Sequence, residues 1–311
     1  MDAFSQALGA PDRKPLISAL SIRPPPLGWG TSPAVPGRSL AFSSIKCSAE
    51  KCYRDVEGTG LPEMSNASRD VIYPHGQDNL RMATREKLEI EKRAAANAAV
   101  EEIESGMIVG LGTGSTAAHA IEALAERCRG GLSVRTVATS LRTEAQARQA
   151  GLEIISFADL PHIDLCIDGV DEIDPDLKAI KGAGGAMLRE KIVAQAAVRM
   201  VGICDSSKPV RDLSRGPLPL EVLPFARAFV IERIRQIGGH ASLRKTRPST
   251  EYLTDQANMV IDCAAPPNVH LVDFVNDLRR IPGVLADGLF VDEIDAIYIG
   301  QGTLAQRMER P

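Results

Sequence analysis

The sequence predicts an α/β protein: a mostly parallel sheet with a second, smaller α+β domain. From Arg85 onward short apolar runs alternate with segments of helical period, and this alternation changes after a proline-rich stretch at 216–226. Alternating strands and helices build βα units, whose strands pair in parallel. We therefore expect a leader at 1–82, a larger domain at 83–218 completed by residues near 290–305, and a small domain at 219–290.

Composition excludes several classes of protein. The chain has 311 residues, 44% hydrophobic and 24% charged, which is typical of a globular protein. Its net charge of -4 indicates no nucleic-acid partner, so an acidic substrate must be met by a local site. No apolar run approaches the ~20 residues of a membrane span, and we expect no membrane partner. The histidines and cysteines show no metal-ligand spacing, so we expect no metal.

The leader at 1–82 has a composition of its own. Seven of the chain's 20 prolines and eight serines precede Glu50, with five basic and only two acidic residues. This composition is typical of an organelle transit peptide. A disordered extension, or an upstream start with the functional chain beginning at Met82, are the alternatives. We expect a cytoplasmic protein, or a plastid stromal one if the leader is cleaved together with Trp29, the only tryptophan.

The larger domain begins with a helix that is rich in Ala, Glu and Lys, starts near Arg85 and stops at Gly106. Apolar runs then predict strands at 107–111, 134–138, 152–157, 163–168 and 199–204. Intervening segments of helical period predict helices at 115 to about 128, about 143–150 and 185–198.

The small domain follows the prolines of 216–226. A helix runs to Gln236, a strand is expected at 258–264, and a second helix at 269–283 closes on Pro-Gly. Residues 288–300 are predicted to form paired strands. Two helices over a few strands in roughly 70 residues are near the minimum for an independent core.

A glycine-rich turn, "GLGTGST", joins the first strand to a helix. Backbone N–H groups and the helix dipole make such a turn an anion site, and Thr113, Ser115 and Thr116 add hydroxyls. The dinucleotide fingerprint fits poorly, because the second strand is not followed by an acidic residue. Instead it is followed by residues that suit a phosphate: Thr139, Ser140, Arg142 and Thr143. A phosphate site, a nucleotide site and a plain tight turn remain the three interpretations.

Charged residues gather where the next strands end. The buried strand at 163–168 runs into Asp168, Asp171 and Glu172; Lys181 opens a second glycine turn, and Glu190 follows on the next helix. The carboxyl ends of parallel strands face the ligand crevice, and charges there are costly to bury unless opposed. A carboxylate beside a cation indicates proton transfer next to a carbonyl group.

Other charged residues nearby are open to a simpler interpretation. Asp174 and Asp176 flank Pro175 and are predicted to be turn residues. Lys208, in "DSSKPV", either binds a phosphate or sugar hydroxyl or is a surface lysine in a turn before Pro209.

Five motifs in order carry a resemblance to a known family: "GLGTGSTAAH", "DGVDEID", "KGAGGAMLREK", "DSSKPV" and "PLPLEVLPFA". Together they closely resemble the type A ribose-5-phosphate isomerases, from about Lys87 to Gly300. The resemblance implies a Rossmann-like α/β domain carrying a small α+β domain. It also implies interconversion of ribose 5-phosphate and ribulose 5-phosphate in the pentose phosphate pathway or Calvin cycle, without metal or organic cofactor, by a homodimer or homotetramer.

The resemblance also implies roles for single residues. Glu190 matches the general base that moves a proton between C2 and C1, and Asp168, Asp171 and Lys181 match residues that bind the sugar, open its ring and move hydroxyl protons. The division of work among these three stays open. The substrate-binding residues implied by the match are Thr113, Gly114, Ser115, Thr116, Gly169, Val170, Gly182, Ala183, Gly184, Lys208 and, on an ungapped helix, Lys92.

Two positions depart from the family pattern. Val170 stands where the family has alanine, and it adds two methyl groups between Asp168 and Asp171. Ala183 stands where the family usually has glycine or arginine, and it does not adopt positive φ easily. Neither change removes a charged group, so activity is expected.

Other activities fit the motifs less well. An amino-sugar phosphate deaminase or a CoA transferase of related fold would not combine "DGVDEID" with "KGAGGAMLREK". A sugar-phosphate sensor that regulates transcription would need a DNA-binding module, and the leader has no helix-turn-helix pattern and too few basic residues.

Overall fold

Six strands build the main sheet in the structure, a computed structural model that describes residues 75–213, 216–247 and 250–310. The helices are α1 (His75–Val100), α2 (Ser115–Arg129), α3 (Leu141–Gln149), α4 (Met187–Ala196), α5 (Arg227–Gln236) and α6 (Leu271–Arg279). The strands of the first half are β1 (Ile108–Leu111), β2 (Arg135–Ala138), β3 (Ile163–Gly169), β4 (Glu172–Ile173), β5 (Ala179–Ile180) and β6 (Ala197–Cys204). Those of the second half are β7 (Leu218–Val222), β8 (His240–Leu243), β9 (Lys245–Arg247), β10 (Thr250–Glu251), β11 (Met259–Ala264), β12 (Val284–Asp287), β13 (Leu289–Phe290), β14 (Ala296–Gln301) and β15 (Leu304–Glu309).

The main sheet has the order β15-β14-β6-β3-β1-β2 and is parallel throughout except for its edge strand β15. Successive residues of a strand point to opposite faces, so both faces need a cover. Leu165 and Val201 pack with α1 and α2 on one face, whereas Cys166 and Met200 pack with Val193 of α4 on the other. This confirms the predicted α/β fold with a mostly parallel sheet.

The smaller sheet, β12-β7-β11-β8, is antiparallel. Helices α5 and α6 supply Val230, Ile234 and Phe274 to a core that includes Leu220 and Ile261 of this sheet. A short sheet of order β13-β5-β4 pairs the segment before Lys181 with the segment after the small sheet. The α+β part of the predicted fold class is thus present, while its domain bounds stay a prediction.

Pro219 shows why β7 was missed from sequence. A proline removes a ladder donor and argues against a central strand. However, β12 pairs with β7 only as far as Leu220, and beyond that point the Pro219 carbonyl accepts from the Gly288 N–H at 2.8 Å. The Gly288 carbonyl accepts from the Lys181 N–H at 2.8 Å instead, so the missing N–H of Pro219 does not leave this acceptor without a donor.

Several element predictions were wrong in detail. Helix α1 begins ten residues before Arg85, and it ends at Val100 in i→i+3 turns. Residues 152–157 form no strand, because only Ile154 bridges to Thr136 at the sheet edge while Ile155 and Phe157 pack partly buried on the core. The segment 288–300 does not pair with itself: β13 pairs with β5, and β14 with β6.

Two further findings limit the other predictions. Residues 1–74, and Trp29 with them, lie outside the described part of the chain. Among the described residues, no helix combines the length and apolar character that crossing a membrane requires.

Candidate active site

A cavity of about 210 Å³ opens where β1, β3 and β6 end. Most of the site residues predicted from the sequence line this cavity: Lys92, Thr113, Gly114, Ser115, Thr116, Gly169, Val170, Asp171, Lys181, Gly182, Gly184, Glu190 and Lys208. Of the residues the sequence singled out for the site, Asp168 and Ala183 do not line it. Sequence reasoning missed Leu88, Asp205 and Ser207, which do.

The first glycine turn brings the backbone of β1 close to the end of β3. A Cβ atom at Gly112 would lie 2.0 Å from Asp168 Oδ1, so only glycine fits there. Gly114 is the N-cap of α2 with φ 113°, it provides no side-chain cap, and the first turn of α2 carries no acidic residue. The turn therefore leaves the first amides of α2 and the hydroxyls of Ser115 and Thr116 for an anion.

The hydroxyls that follow β2 support this turn from behind. The Thr113 hydroxyl lies within 3.1 Å of the hydroxyls of Thr139, Ser140 and Thr143, and Thr143 also donates to the Gly112 carbonyl at 2.9 Å. These three residues are buried, and Arg142 is exposed away from the cavity. The sequence suggested that the residues after β2 suit a phosphate, but none of them lines the cavity. The hydroxyls of Thr139, Ser140 and Thr143 contact Thr113 instead.

Lys181 is the centre of a buried charge cluster. Its Nζ lies 2.9 Å from Asp168 Oδ2 and 3.4 Å from Glu190 Oε2, and it donates to the carbonyl of Gly169. The three charged side chains are each no more than 4% exposed. Asp168 Oδ1 also accepts from the Thr113 N–H at 3.0 Å, which links the glycine turn to the cluster.

Burial governs how this cluster holds protons. Burial raises the pKa of Glu190 to about 8, against the opposing effect of the Lys181 ammonium. Burial likewise raises the pKa of Asp168, again opposed by Lys181. Burial alone would lower the pKa of Lys181, but the carboxylates of Asp168 and Glu190 raise it above its usual range. Lys181 therefore stays charged, and Glu190 exchanges its proton near pH 8.

The second glycine turn, residues 182–185, leads into α4. Gly182 and Gly185 have φ of 100° and 75°, whereas Ala183 has no positive φ, so the departure from the family pattern strains nothing. The Ala183 N–H donates to Asp171 Oδ2 at 2.8 Å. Because α4 begins at Met187, Glu190 lies in its first turn, not in the second as the predicted helix start implied.

Val170, the other departure, lines the cavity but is largely buried. It is only 6% exposed and belongs to an apolar cluster with Ile173 and Leu177. The extra methyl groups are therefore accommodated in the core.

Two further lysines, Lys92 and Lys208, also line the cavity. Lys92 Nζ lies 2.7 Å from Glu89 Oε1, and Glu89 Oε2 lies 3.0 Å from His119 Nε2. Lys208 follows β6 in a turn where Asp205 Oδ1 accepts from the Ser207 N–H at 2.9 Å. Asp205 immediately follows β6, so the strand-end rule that found Asp168 would have found it as well.

Asp174, which lies outside this cluster, has a structural role in a turn. Asp174 Oδ1 accepts from the N–H groups of Asp176 and Lys178 at 2.9 and 2.8 Å, as expected of a turn residue. Within the described part of the chain, no three His, Cys, Asp or Glu side chains come together in a way that would hold a metal ion.

Comparison with known proteins gives the same family that the sequence motifs resemble. The family model "Ribose 5-phosphate isomerase A (phosphoriboisomerase A)" matches residues 135–303. The chain is 46% identical over 220 residues to ribose-5-phosphate isomerase A of Sphingopyxis alaskensis, covering 71% of this chain and 96% of that protein. It is 44% identical over 214 residues to the protein of that name from Gloeobacter violaceus, covering 68% and 93%.

Solved structures agree with this. Ribose 5-phosphate isomerase A from Methanocaldococcus jannaschii is 33% identical with a TM-score of 0.67, covering 71% of this chain and 99% of that one. A D-ribose-5-phosphate isomerase solved in complex with phospho-erythronic acid is 35% identical with a TM-score of 0.68, covering 72% and 99%.

Proposed function

The chain belongs to the ribose 5-phosphate isomerase A family and interconverts ribose 5-phosphate and ribulose 5-phosphate in the pentose phosphate pathway, and we propose that Glu190 is its general base. The observation that carries this proposal is a carboxyl group at the cavity wall that is 4% exposed and has its pKa raised to about 8 by burial. A base whose pKa lies near the working pH transfers protons most effectively in both directions.

In the proposed reaction, the Glu190 carboxylate removes the proton from C2 of the open-chain aldose. The electron pair of that C–H bond forms a C1–C2 double bond, and the C1 carbonyl oxygen takes the negative charge, which gives an enediolate. The proton of the C2 hydroxyl is then transferred to the C1 oxygen, the C2 oxygen forms the ketone, and Glu190 returns its proton to C1. Atoms and charge balance without a metal or organic cofactor.

Lys181 is suited to stabilise the negative oxygen of the enediolate. It lines the cavity, and its pKa is raised by the carboxylates of Asp168 and Glu190 even though burial opposes this, so it carries a full charge next to Glu190. A charge fixed before the reaction stabilises a developing anion without reorganisation. Asp168 does not line the cavity, and we propose that it acts through Lys181 and Thr113.

Asp171 and the first glycine turn complete the proposed site. Asp171 lines the cavity between the two turns, where its carboxylate is suited to move a proton of a sugar hydroxyl during ring opening. The amides and hydroxyls of Thr113–Thr116, with Lys208 and Lys92 nearby, are suited to the phosphate.

Assembly and location are further parts of the proposal. We propose a homodimer or homotetramer, as the family resemblance implies; the exposure of Phe225 (97%) and Phe229 (50%) is consistent with a surface that another copy covers. We propose a plastid stromal location if residues 1–82 are cleaved as a transit peptide, and a cytoplasmic one otherwise.

The deciding experiment is turnover of ribose 5-phosphate by the full chain and its Glu190→Gln variant in the presence of EDTA. We expect the wild type to turn over with the chelator present, and the variant to lose at least about 10³-fold in kcat because an amide cannot accept the proton. Binding of a substrate analogue should persist.

Glu126→Gln, which changes one exposed glutamate on α2, is the matched control and should behave as wild type. Substantial turnover by folded Glu190→Gln would remove Glu190 from the role of base.

A further inference from the structure

We propose that Arg244, which follows β8 of the small sheet, is a positioning residue that fixes the second glycine turn from outside the cavity. The inference rests on the proposed function, because the turn carries groups that we assign to the reaction. Neither Arg244 nor its neighbours Tyr252 and Asp262 line the cavity.

Arg244 and Tyr252 donate hydrogen bonds to three successive carbonyl groups of this turn, those of residues 182–184. Arg244 Nη1 donates to the carbonyl oxygens of Gly182 at 2.8 Å and Ala183 at 3.0 Å. The Tyr252 hydroxyl donates to the Gly184 carbonyl at 2.8 Å. The two side chains thus hold three successive peptide groups by their oxygens.

The orientation of these peptides reaches the proposed site. In a trans peptide the C=O and N–H bonds point in opposite directions. The peptide group between Gly182 and Ala183 carries the carbonyl oxygen that accepts from Arg244 and, at its other end, the Ala183 N–H, which donates to Asp171 Oδ2 at 2.8 Å. Because this group is rigid, Arg244 fixes the orientation of the Ala183 N–H, and it also polarises that N–H.

The same turn sets the positions of two more charged groups. Lys181 immediately precedes Gly182, and α4 with Glu190 begins two residues after Gly185. A rotation of the turn would displace the ammonium and the carboxyl group that lie 3.4 Å apart. A misplacement of about 1 Å near the reacting atoms lowers the rate by up to about 10²-fold.

Arg244 is itself held in place by the small sheet. Its Nε donates to Asp262 Oδ2 at 2.9 Å, and its Nη2 donates to the other oxygen of the same carboxylate. The guanidinium therefore binds Asp262 with one edge and the turn with its remaining nitrogen. A lysine has a single nitrogen and does not reproduce this arrangement.

Packing around Tyr252 leaves the turn little room. The guanidinium carbon of Arg244 lies 6.0 Å from the centre of the Tyr252 ring, and a Cβ atom at Gly185 would lie 2.3 Å from the Tyr252 hydroxyl oxygen. Glycine is thus required at position 185, where Tyr252 contacts the turn, and a shift of Tyr252 would displace the turn.

The test compares kcat, KM and melting temperature of Arg244→Lys and Tyr252→Phe with those of the wild-type full chain. Arg127→Lys is the matched control, because Arg127 Nη1 also donates to two carbonyl groups, those of Val100 and of Ile103 (3.1 Å), at a site remote from the cavity. We expect Arg244→Lys to lose about 10- to 100-fold in kcat with KM changed less than about threefold, because the phosphate contacts lie on the first turn.

Tyr252→Phe removes a single hydroxyl and should lose about 3- to 10-fold in kcat with KM unchanged. Arg127→Lys should lower the melting temperature and leave kcat within about twofold of wild type. If Arg244→Lys fails to fold, the Tyr252→Phe result decides.

A kcat within about twofold of wild type in both site variants would overturn the inference, and so would an equal loss of kcat in Arg127→Lys at a similar fall in melting temperature. The assignment of Glu190 is tested separately: if Glu190→Gln is inactive while Arg244→Lys and Tyr252→Phe are not impaired, the positioning role alone fails. If Glu190→Gln stays active, the assigned base fails instead.

Discussion

At the scale of single residues, the site combines a buried cation with two buried carboxyl groups. Transferring any of these charges alone into the protein would be very unfavourable, and pairing offsets part of that cost. Lys181 contacts Asp168 more closely than Glu190, at 2.9 against 3.4 Å. We interpret the closer pair as the fixed ion pair, which leaves Glu190 as the group that gains and loses a proton.

The pH dependence of the reaction follows from the raised pKa of Glu190. Only the carboxylate accepts a proton, so we expect kcat/KM to rise about tenfold per pH unit from pH 6.5 and to level off above about pH 8, where the pKa of the free enzyme lies. The second ionisation of a phosphate ester lies near pH 6 and is largely complete across this range. A flat profile from pH 6.5 to 9 would contradict a base with a raised pKa.

Thr143 offers a test of how the first glycine turn is supported. Thr143→Val keeps the shape but removes the hydroxyl that donates to the Gly112 carbonyl and contacts Thr113. We expect about 1–2 kcal/mol less stability and a KM raised several-fold, because the turn that we assign to the phosphate loses a support.

Thr136→Val is the matched control for this change. Thr136 is fully buried, and its hydroxyl donates to the Glu153 carbonyl at 2.7 Å, away from the cavity. It should lose similar stability with an unchanged KM. An equal rise of KM in both variants would exclude a specific role for Thr143.

At the scale of elements, the site depends on how closely two strand ends approach. Strands β1 and β3 are neighbours in parallel register, with Leu111 opposite Ile167, so the residues that follow them meet directly. The Gly112 N–H donates to the Ile167 carbonyl at 2.9 Å, and the next N–H, of Thr113, donates to Asp168. The glycine that allows this approach is therefore as important as the charged residue that it contacts.

Gly112→Ala tests this approach. Its Cβ atom would lie 2.0 Å from Asp168 Oδ1 and 2.5 Å from the Asp168 Cα, and backbone cannot move aside easily. We expect a loss of about 3 kcal/mol, or a melting temperature lowered by roughly 6–12 °C, together with loss of activity.

Gly169→Ala, on the other side of Asp168, is the control for stability. Its Cβ atom would meet nothing closer than 3.8 Å, so its melting temperature should stay near that of wild type. If both variants melted like the wild type, the close approach of the two strand ends would be refuted.

At the scale of the whole molecule, residues that follow β8 and β10, together with β13, support the main sheet's site without lining its cavity. Arg244 and Tyr252 support the second glycine turn, and β13 pairs with β5 just before Lys181, whose N–H donates to the Gly288 carbonyl at 2.8 Å. The segment that carries Lys181 is thus held by residues from later in the chain.

Native mass spectrometry of protein purified from its own cells tests the assembly and the leader together. The full chain has a mass of 33.3 kDa, so we expect a particle of two or four subunits, each lighter than this if residues 1–82 are removed. A cleaved subunit would also lack Trp29 and its fluorescence. A monomeric particle would contradict the proposed assembly, and a full-length subunit would contradict cleavage.

The sequence by itself determined the α/β class, the family and most residues of the cavity, because periodicity and strand-end motifs depend on neighbours in the chain. It missed β7, β8 and β12, whose pairing depends on partners distant in sequence, and it also missed β15, which pairs with the preceding strand β14. It placed a strand at 152–157, where apolar side chains pack without a ladder.

Only the tertiary structure decided which side chains face the ligand space. It placed Asp168 behind the wall, turned the hydroxyls after β2 toward Thr113, and brought Arg244 to Gly182 across 62 positions of the chain. No local pattern encodes these contacts, because they arise when two separately patterned sheets pack and their buried polar groups must find partners.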